Sequence, residues 1–532
     1  MAEDGSIDAP RVATVLNVEK ARAIGQLARQ VEEHFGRPQD IEWAIGGGSL
    51  WLLQARPITT GPNAGPELIP IPINVPPGYW TRDAFHEPVP LSPFARVMLT
   101  EQILKVLPGV FAEFGILIER AEVAFIAGWT YNRMIPLGAP SGRSTGRSPP
   151  RAPPRWLLAM LMRLHPGIRR RTSAARKAIA SDLPATVIRR WTRQWRPEHQ
   201  DDVARALRID LGSISDEELS AELDHRLEVV RHPAHAVVAI AYFVLVHELA
   251  VLCRELLGWD TARMLTLLEG LSTISTEPAR ELAELAQLAR SKPAIRELLA
   301  RIDERTPARL IEVDLEFARA FSHYVERNGH RAVRYDVIDP TLAEMPQLLL
   351  RLVGDQLELE FSPDQVAQGA LRRRSEAAAE ARAVLASRPE ADRQRFERAL
   401  ARAREAYPAY EDRVWHTQSV QTALLRHLAL EIGRRLLVRG QLATIDDVFF
   451  LEAHDARSAL FDRADRREVA RIAKGQRAWA MAHPGPASHG DAPSVEPPFD
   501  LLPPAARLVN AAVLWGFPNS SGGVQPGRTA PQ

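Results

Sequence analysis

Residues 40–58 read DIEWAIGGGSLWLLQARPI. Two runs rich in β-branched, aromatic and aliphatic residues flank a glycine cluster, which is the signature of an antiparallel hairpin. With Gly47, Gly48 and Ser49 as a three-residue loop, the glycines supply the positive φ that such a turn requires. That loop centres the hairpin on residue 48. Gly46 then faces Leu50, Ala44 faces Leu52, Glu42 faces Gln54, and Asp40 faces Arg56. Strand side chains alternate between faces. Asp40, Glu42, Gln54 and Arg56 therefore share one face, and Ile41, Trp43, Trp51, Leu53 and Ala55 share the other.

The polar face has a specific chemical capacity. A hard divalent cation takes oxygen ligands, which Glu42 and Gln54 both offer. A guanidinium such as that of Arg56 grips phosphate oxygens in pairs. Together they suit the phosphate tail of a magnesium-bound nucleotide. The alternative is a solvated hairpin face carrying an Asp40–Arg56 cross-strand pair.

Working outward, residues 14–35 place Leu16, Ala21, Ile24, Leu27, Ala28 and Val31 along one face of an amphipathic helix. The stretch 61–79, rich in Pro, Gly and Asn, reads as a linker. From Trp80 to about residue 505 the pattern is mostly helical. It is interrupted at 138–155 by GAPSGRSTGRSPPRAPPR, a basic Pro/Ser/Gly loop. In 364–407, Phe396, Leu400, Ala403 and Tyr407 fall on one helical face, and Pro389 breaks the run, which predicts a helical hairpin. Residues 506–532 form a tail. The fold expected is mainly α with a small α+β N-terminal part.

Composition narrows the function. Lys and Arg total 67 and Asp and Glu 66, so the net charge is +1. This balance gives no global case for nucleic acid or an anionic membrane. The single cysteine, Cys253, excludes an internal disulfide and a cysteine metal cluster, and a reducing cytoplasm fits. The N-terminus MAEDGSIDAPRV has no apolar core of a secretory signal. The most apolar run, Ala236–Val246, is too short to span a bilayer and reads as a buried helix.

The segment EHFGRPQDIEWAIGGGSLWLLQARPIT resembles the closing part of the ATP-grasp domain in the phosphoenolpyruvate-utilising phosphotransferase group. That group includes pyruvate phosphate dikinase, phosphoenolpyruvate synthase and rifampicin phosphotransferase. The resemblance implies that Glu42 and Gln54 bind the metal of Mg-ATP, that Arg56 contacts the nucleotide phosphates, and that Asp40 neighbours them. Three further stretches are similar to the rifampicin phosphotransferase branch: WTRDAFHEPVPLSPF (80–94), FSHYVERNGHRAVRYDVIDP (321–340) and LEIGRRLLVRGQLATIDDVFFLEAHDAR (430–457). They imply that 80–505 is a helical acceptor-binding domain, in which the apolar 236–253 helix is a candidate lining. The expected organisation is an ATP-grasp remnant over 1–60, the linker 61–79, the helical domain 80–505, and a tail at 506–532. Within the tail, GFPNSSGGV is similar to the start of the family's phosphohistidine domain.

The sequence departs from the family pattern as well. The glycine-rich phosphate loop of the ATP-grasp domain has no counterpart, and the T-x-x-G-G-x-x-S-H motif of the phosphohistidine domain does not occur. Ser488-His489-Gly490 echoes only its end. These departures predict a chain truncated at both ends, without activity of its own and completed by polypeptides that supply the missing domains. A non-catalytic small-molecule-binding module and a degenerate remnant are the alternatives. His330 and Arg331, with Tyr335 and Asp336, are candidates for a polar spot in a substrate cavity, against a purely structural role. His247-Glu248 lacks the second histidine of a zinc protease helix, because position 251 is Val251. His232 and His235 share a possible helix face without a carboxylate partner nearby in sequence.

Overall fold

The computed structural model describes residues 18–35, 39–46, 49–57, 67–137, 154–272, 274, 276–332, 334–358, 362–491 and 499–516. The chain forms two compact units, Met1–Glu67 and Leu68–Gln532. Residues 138–153 of the loop expected over 138–155, and residues 517–532 of the tail, lie outside the described residues, and Arg155 opens a helix.

The smaller unit is one helix and one hairpin. Helix α1 (Val18–Phe35) packs against strands β1 (Gln39–Gly46) and β2 (Ser49–Pro57). Its stripe of Ile24, Leu27 and Ala28 is half-buried and Val31 is buried. The hairpin corrects the expected loop. Gly46 pairs with Ser49, so two residues connect the strands rather than three. The register shifts by one between Glu42 and Trp43, leaving Leu53 as an extra residue in β2. This bulge restores the pairs Glu42↔Gln54 and Asp40↔Arg56. Beyond it, Ala44 pairs with Trp51 and Trp43 with Leu52. Directly paired residues share a face, so Trp51 lies on the Glu42 side and not on the side expected to be core. Trp51 is 60% exposed.

The larger unit contains α2 (Arg155–Leu164), α3 (Pro166–Ala180), α4 (Asp216–Arg231), α5 (Ala234–Leu252), α6 (Pro363–Leu385), α7 (Glu390–Val414), α8 (Val420–Val438) and α9 (Pro504–Gly516), with further helices between them. Helix α5 is apolar on every side, and each residue from Ala236 to Val246 is buried. An all-round apolar helix belongs at the centre of a large core. The run Asp216–Leu257 holds an 18-residue window apolar enough to cross a membrane, but 83% of that window is buried inside the unit. Helix α7 lays Phe396, Leu400 and Ala403 into the same core, and Pro389 precedes its first turn, as the periodicity predicts. Helix α9 crosses the boundary expected at residue 505. Its Ala506, Val509, Ala512 and Val513 are buried in that core, and Asn510 accepts from the Leu117 amide at 2.7 Å.

A second core gathers α4 and α8 around Leu91, Phe94 and Phe449, and a third is built by residues 282–353. The close approach of α8 to the following turn depends on Gly433. A Cβ there would lie 2.4 Å from the Ile445 carbonyl oxygen.

A four-stranded sheet in this unit was not foreseen. Its order is β4-β5-β3-β6, from β3 (Trp80–Arg82), β4 (Ile118–Ile126), β5 (Trp129–Pro136) and β6 (Ser488–His489). Ala127 and Gly128, at φ of 50° and 84°, turn β4 into β5 in two residues. The strands β3 and β6 are too short to show alternation in sequence. Ser488 and His489 serve as an edge strand, with the His489 ring 4.8 Å from that of Tyr131.

Candidate functional site

The hairpin places its predicted residues by backbone register. Asp40 is opposite Arg56 and Glu42 opposite Gln54, on one face of β1–β2. Glu42 is exposed. The side chains of Asp40, Gln54 and Arg56 lie outside the described residues. The donor set fits a hard cation and a phosphate: one carboxylate faces one carboxamide, with a guanidinium position two residues along the same strand. Among the described residues no three His, Cys, Asp or Glu side chains group as a metal cluster.

The second site is a cleft of about 460 Å³ in the larger unit. Its walls come from four distant segments: Phe85, His86 and Pro88; Ile274; Arg331, Ala332, Arg334 and Tyr335; and the end of α7 through Trp415 and Ser419. Phe85 stands at its edge, 76% exposed, with its ring edge-on to His86 at 5.0 Å. The His86 Nδ1 is 3.1 Å from the Asp83 carboxylate. Opposite, the Arg331 guanidinium lies 4.1 Å over the Trp415 ring and donates to the Ile274 carbonyl at 3.2 Å. Arg334 is held by two bonds to Asp339, at 2.7 and 2.5 Å.

Within the lining, Tyr410 stacks on Tyr242 of α5 at 4.2 Å and 20°. Arg413, 4% exposed, lies 4.6 Å over the Tyr410 ring. Burial lowers the pKa of Arg413, while the neighbouring tyrosines Tyr410, Tyr335 and Tyr242 oppose that shift. Glu87, between two residues of the rim, is buried; burial, with the charges of Asp83 and Asp336 added, pushes its carboxyl up to about 9. At neutral pH this is a neutral acid. The cleft thus combines aromatic walls with fixed cations, a surface for a flat, electron-rich molecule.

The structure brings Arg331 to the cleft but not His330. The His330 ring is half-buried and meets His427 edge-on at 5.7 Å. Asp336 is structural, accepting from the Ser92 amide at 2.7 Å and from its hydroxyl at 2.5 Å. Helix α5 does not line the cleft; through Tyr242 it supports the lining. His232 and His235 do not converge. His232 lies against Trp195 and His199, and His235 against Arg413 and Thr417. Glu248 pairs with Arg402. Burial raises the thiol of Cys253 to about 12, which leaves it inert. Sequence reasoning passed over Phe85, Tyr410, Arg413 and Trp415. Phe85 lies in the resemblance stretch 80–94, and the signal for the other three was aromatics and an arginine following the apolar stripe of α7.

Comparison with known proteins adds two matches. Residues 3–70 match the pyruvate phosphate dikinase AMP/ATP-binding domain, and residues 232–411 match the rifampicin phosphotransferase fourth domain. A probable phosphoenolpyruvate synthase of Archaeoglobus fulgidus is 48% identical over 50 residues, 9% of this chain and 6% of that protein. The rifampicin phosphotransferase of Bacillus subtilis is 42% identical over 60 residues, 11% of this chain and 6% of that protein. The prodigiosin synthesizing transferase PigC of Serratia marcescens is 47% identical over 53 residues, 10% of this chain and 6% of that protein. Each alignment thus spans only a small fraction of the relative's length.

Proposed function

We propose that this chain, which belongs to the phosphoenolpyruvate-utilising phosphotransferase group, contributes part of a Mg-ATP site and an acceptor-binding helical domain to an ATP-dependent phosphotransferase. The observation that carries the reading is the register of the hairpin. Its bulge keeps Glu42 opposite Gln54 and Asp40 opposite Arg56 within the segment that matches an AMP/ATP-binding domain.

Phosphoryl transfer asks a protein mainly for positioning and charge neutralisation. Bound Mg-ATP would supply the phosphoryl group and a cation to spread its charge. Glu42 and Gln54 offer the metal two oxygens, and Arg56 offsets phosphate charge. In the larger unit, Trp415 and Phe85 would hold an acceptor between ring faces, with Arg331 and Arg334 fixing its orientation. We assign the phosphoryl-carrying histidine to a separate domain or polypeptide, because the T-x-x-G-G-x-x-S-H pattern does not occur in this sequence. The single buried thiol fits a reducing compartment, and we place the protein in the cytoplasm.

Calorimetric titration with Mg-ATP tests this reading on the intact chain and on Glu42→Ala and Arg56→Ala. Saturable binding by the intact chain, lost in both variants, supports it. A folded chain that binds no nucleotide removes it.

One observation favours a second reading, a binding module without turnover. Every residue lining the cleft belongs to the larger unit, so the cleft is built without the hairpin. Ligand-induced thermal stabilisation that is independent of ATP and sensitive to Trp415→Ala would favour it.

A further inference from the structure

The overall charge balance conceals a strong local imbalance. Between Glu122 and Asp182 the sequence holds no Asp or Glu, while arginine recurs throughout. Within this stretch α2 and α3 follow one another, joined at His165.

Helix α2, RWLLAMLMRL, has a packed face and an unpartnered one. Leu157, Leu158 and Met162 are half-buried, and Met162 packs on the main core. On the outer face Trp156, Met160 and Leu164 recur every four residues, at 69%, 43% and 64% exposure, with Leu161 beside them at 49%. Spacing of four keeps side chains on one side of a helix. A soluble helix normally turns polar residues outward; here the outward stripe is aliphatic and indole.

Exposed basic residues lie on α2 and on α3, the helix that follows it. Arg163 of α2 and Arg169, Arg170, Arg176 and Lys177 of α3 are exposed. None of these five forms an ion pair among the described residues, whereas Arg155 is paired with Asp500. Arg171 is half-buried, with burial lowering its pKa.

We infer that the α2–α3 face docks on a bilayer surface rich in anionic phospholipid. Complementarity is both electrostatic and apolar. Cationic side chains meet phosphate headgroups, while Trp156, Met160 and Leu164 enter the headgroup–acyl boundary. Nucleic acid would satisfy the cations but offers no apolar medium for Met160, Leu161 and Leu164. The inference rests on neither the Mg-ATP site nor the cleft.

Flotation of the intact chain with vesicles tests it. Vesicles of mixed phosphatidylglycerol and phosphatidylcholine are compared with phosphatidylcholine alone, at low and high salt. The chain is expected to float with the anionic vesicles only, and to lose binding at high salt. Trp156→Ser/Leu164→Ser and Arg169→Glu/Arg170→Glu should each lower the bound fraction by about tenfold. The substituted side chains are exposed, so an unchanged thermal unfolding curve accompanies each variant. Absence of vesicle binding, or equal binding by both variants and the intact chain, overturns the inference. So does a change of sedimentation coefficient in the Trp156→Ser/Leu164→Ser variant without vesicles, because the face would then be covered by a second copy of the chain.

Discussion

Arg413 and His235 are locked together by two bonds from one guanidinium nitrogen. Nη1 donates to the His235 carbonyl at 2.7 Å and to the His235 ring Nε2 at 3.1 Å. A guanidinium only donates, so Nε2 accepts and the ring proton sits on Nδ1. Nδ1 then donates to the Thr417 hydroxyl at 2.7 Å, and that hydroxyl donates to the Arg413 carbonyl at 2.8 Å. The loop closes on itself and ties α5 to the end of α7, directly below the cleft.

Replacing Arg413 by Met keeps the apolar stem but removes the donor. The His235 carbonyl and ring nitrogen are then buried without it. Arg413→Met should lower stability by roughly 2–4 kcal/mol. Urea denaturation checks this, and a loss below about 1 kcal/mol would show the loop to be dispensable.

Acid should weaken the larger unit through its buried histidines. Burial, with His232 and His416 adding positive charge nearby, lowers His199 from 6.5 to about 4; Asp202 and Glu198 oppose this. Burial, then Arg254, lowers His247 to about 4, and burial, then Arg413, holds His235 well below 6.5. The unfolded chain binds these protons more readily than the folded one. The stability they contribute is complete above pH 6.5 and falls as pH drops from 6.5 to 4. His199 alone accounts for roughly 3 kcal/mol of that loss. Thermal melts of the intact chain and His199→Gln across this range should show a shallower acid slope in the variant.

Glu87 acts in the opposite sense. Its ordinary value of 4.5 rises to about 9 on folding. The folded state keeps the proton that the unfolded state releases, so stability from this group is complete below pH 4.5 and lost as pH rises toward 9. Glu87→Gln, neutral at every pH, should stabilise the protein by roughly 2–4 kcal/mol at pH 8 and leave it unchanged at pH 4. Equal effects at both pH values would mean that the carboxyl is already ionised in the fold.

Some of this was legible in the residues. Period-two alternation and the glycine pair located the hairpin, and Pro389 with the Phe396–Leu400–Ala403 stripe located α7 and its partner. The all-apolar run Ala236–Val246 announced a central helix. The bulge at Leu53 escaped notice, because local sequence is compatible with both a two-residue and a three-residue connection. Only the ladder shows which one leaves a residue over. The β4–β5 hairpin escaped for another reason. In IERAEVAFI the charges of Arg120 and Glu122 interrupt the apolar pattern; in the fold they pair with each other at 2.8 Å, and Glu122 also accepts from Arg133 at 2.6 Å. The cleft was the least legible. Its rings stand at positions 85, 335, 410 and 415, and only the tertiary fold brings them to one place.

The extra residue at Leu53 separates the tip of the hairpin from the end where Asp40 pairs with Arg56. A strand that gains one residue at the turn ordinarily inverts every side chain beyond it. In this hairpin a lengthened connection can be absorbed by smoothing out the irregularity, leaving Glu42 against Gln54 and Asp40 against Arg56. The tip can therefore gain a residue while the Asp40–Arg56 end holds its alignment. An insertion of one residue beside Gly48 should leave nucleotide affinity intact, whereas the same insertion between Gln54 and Arg56 should abolish it.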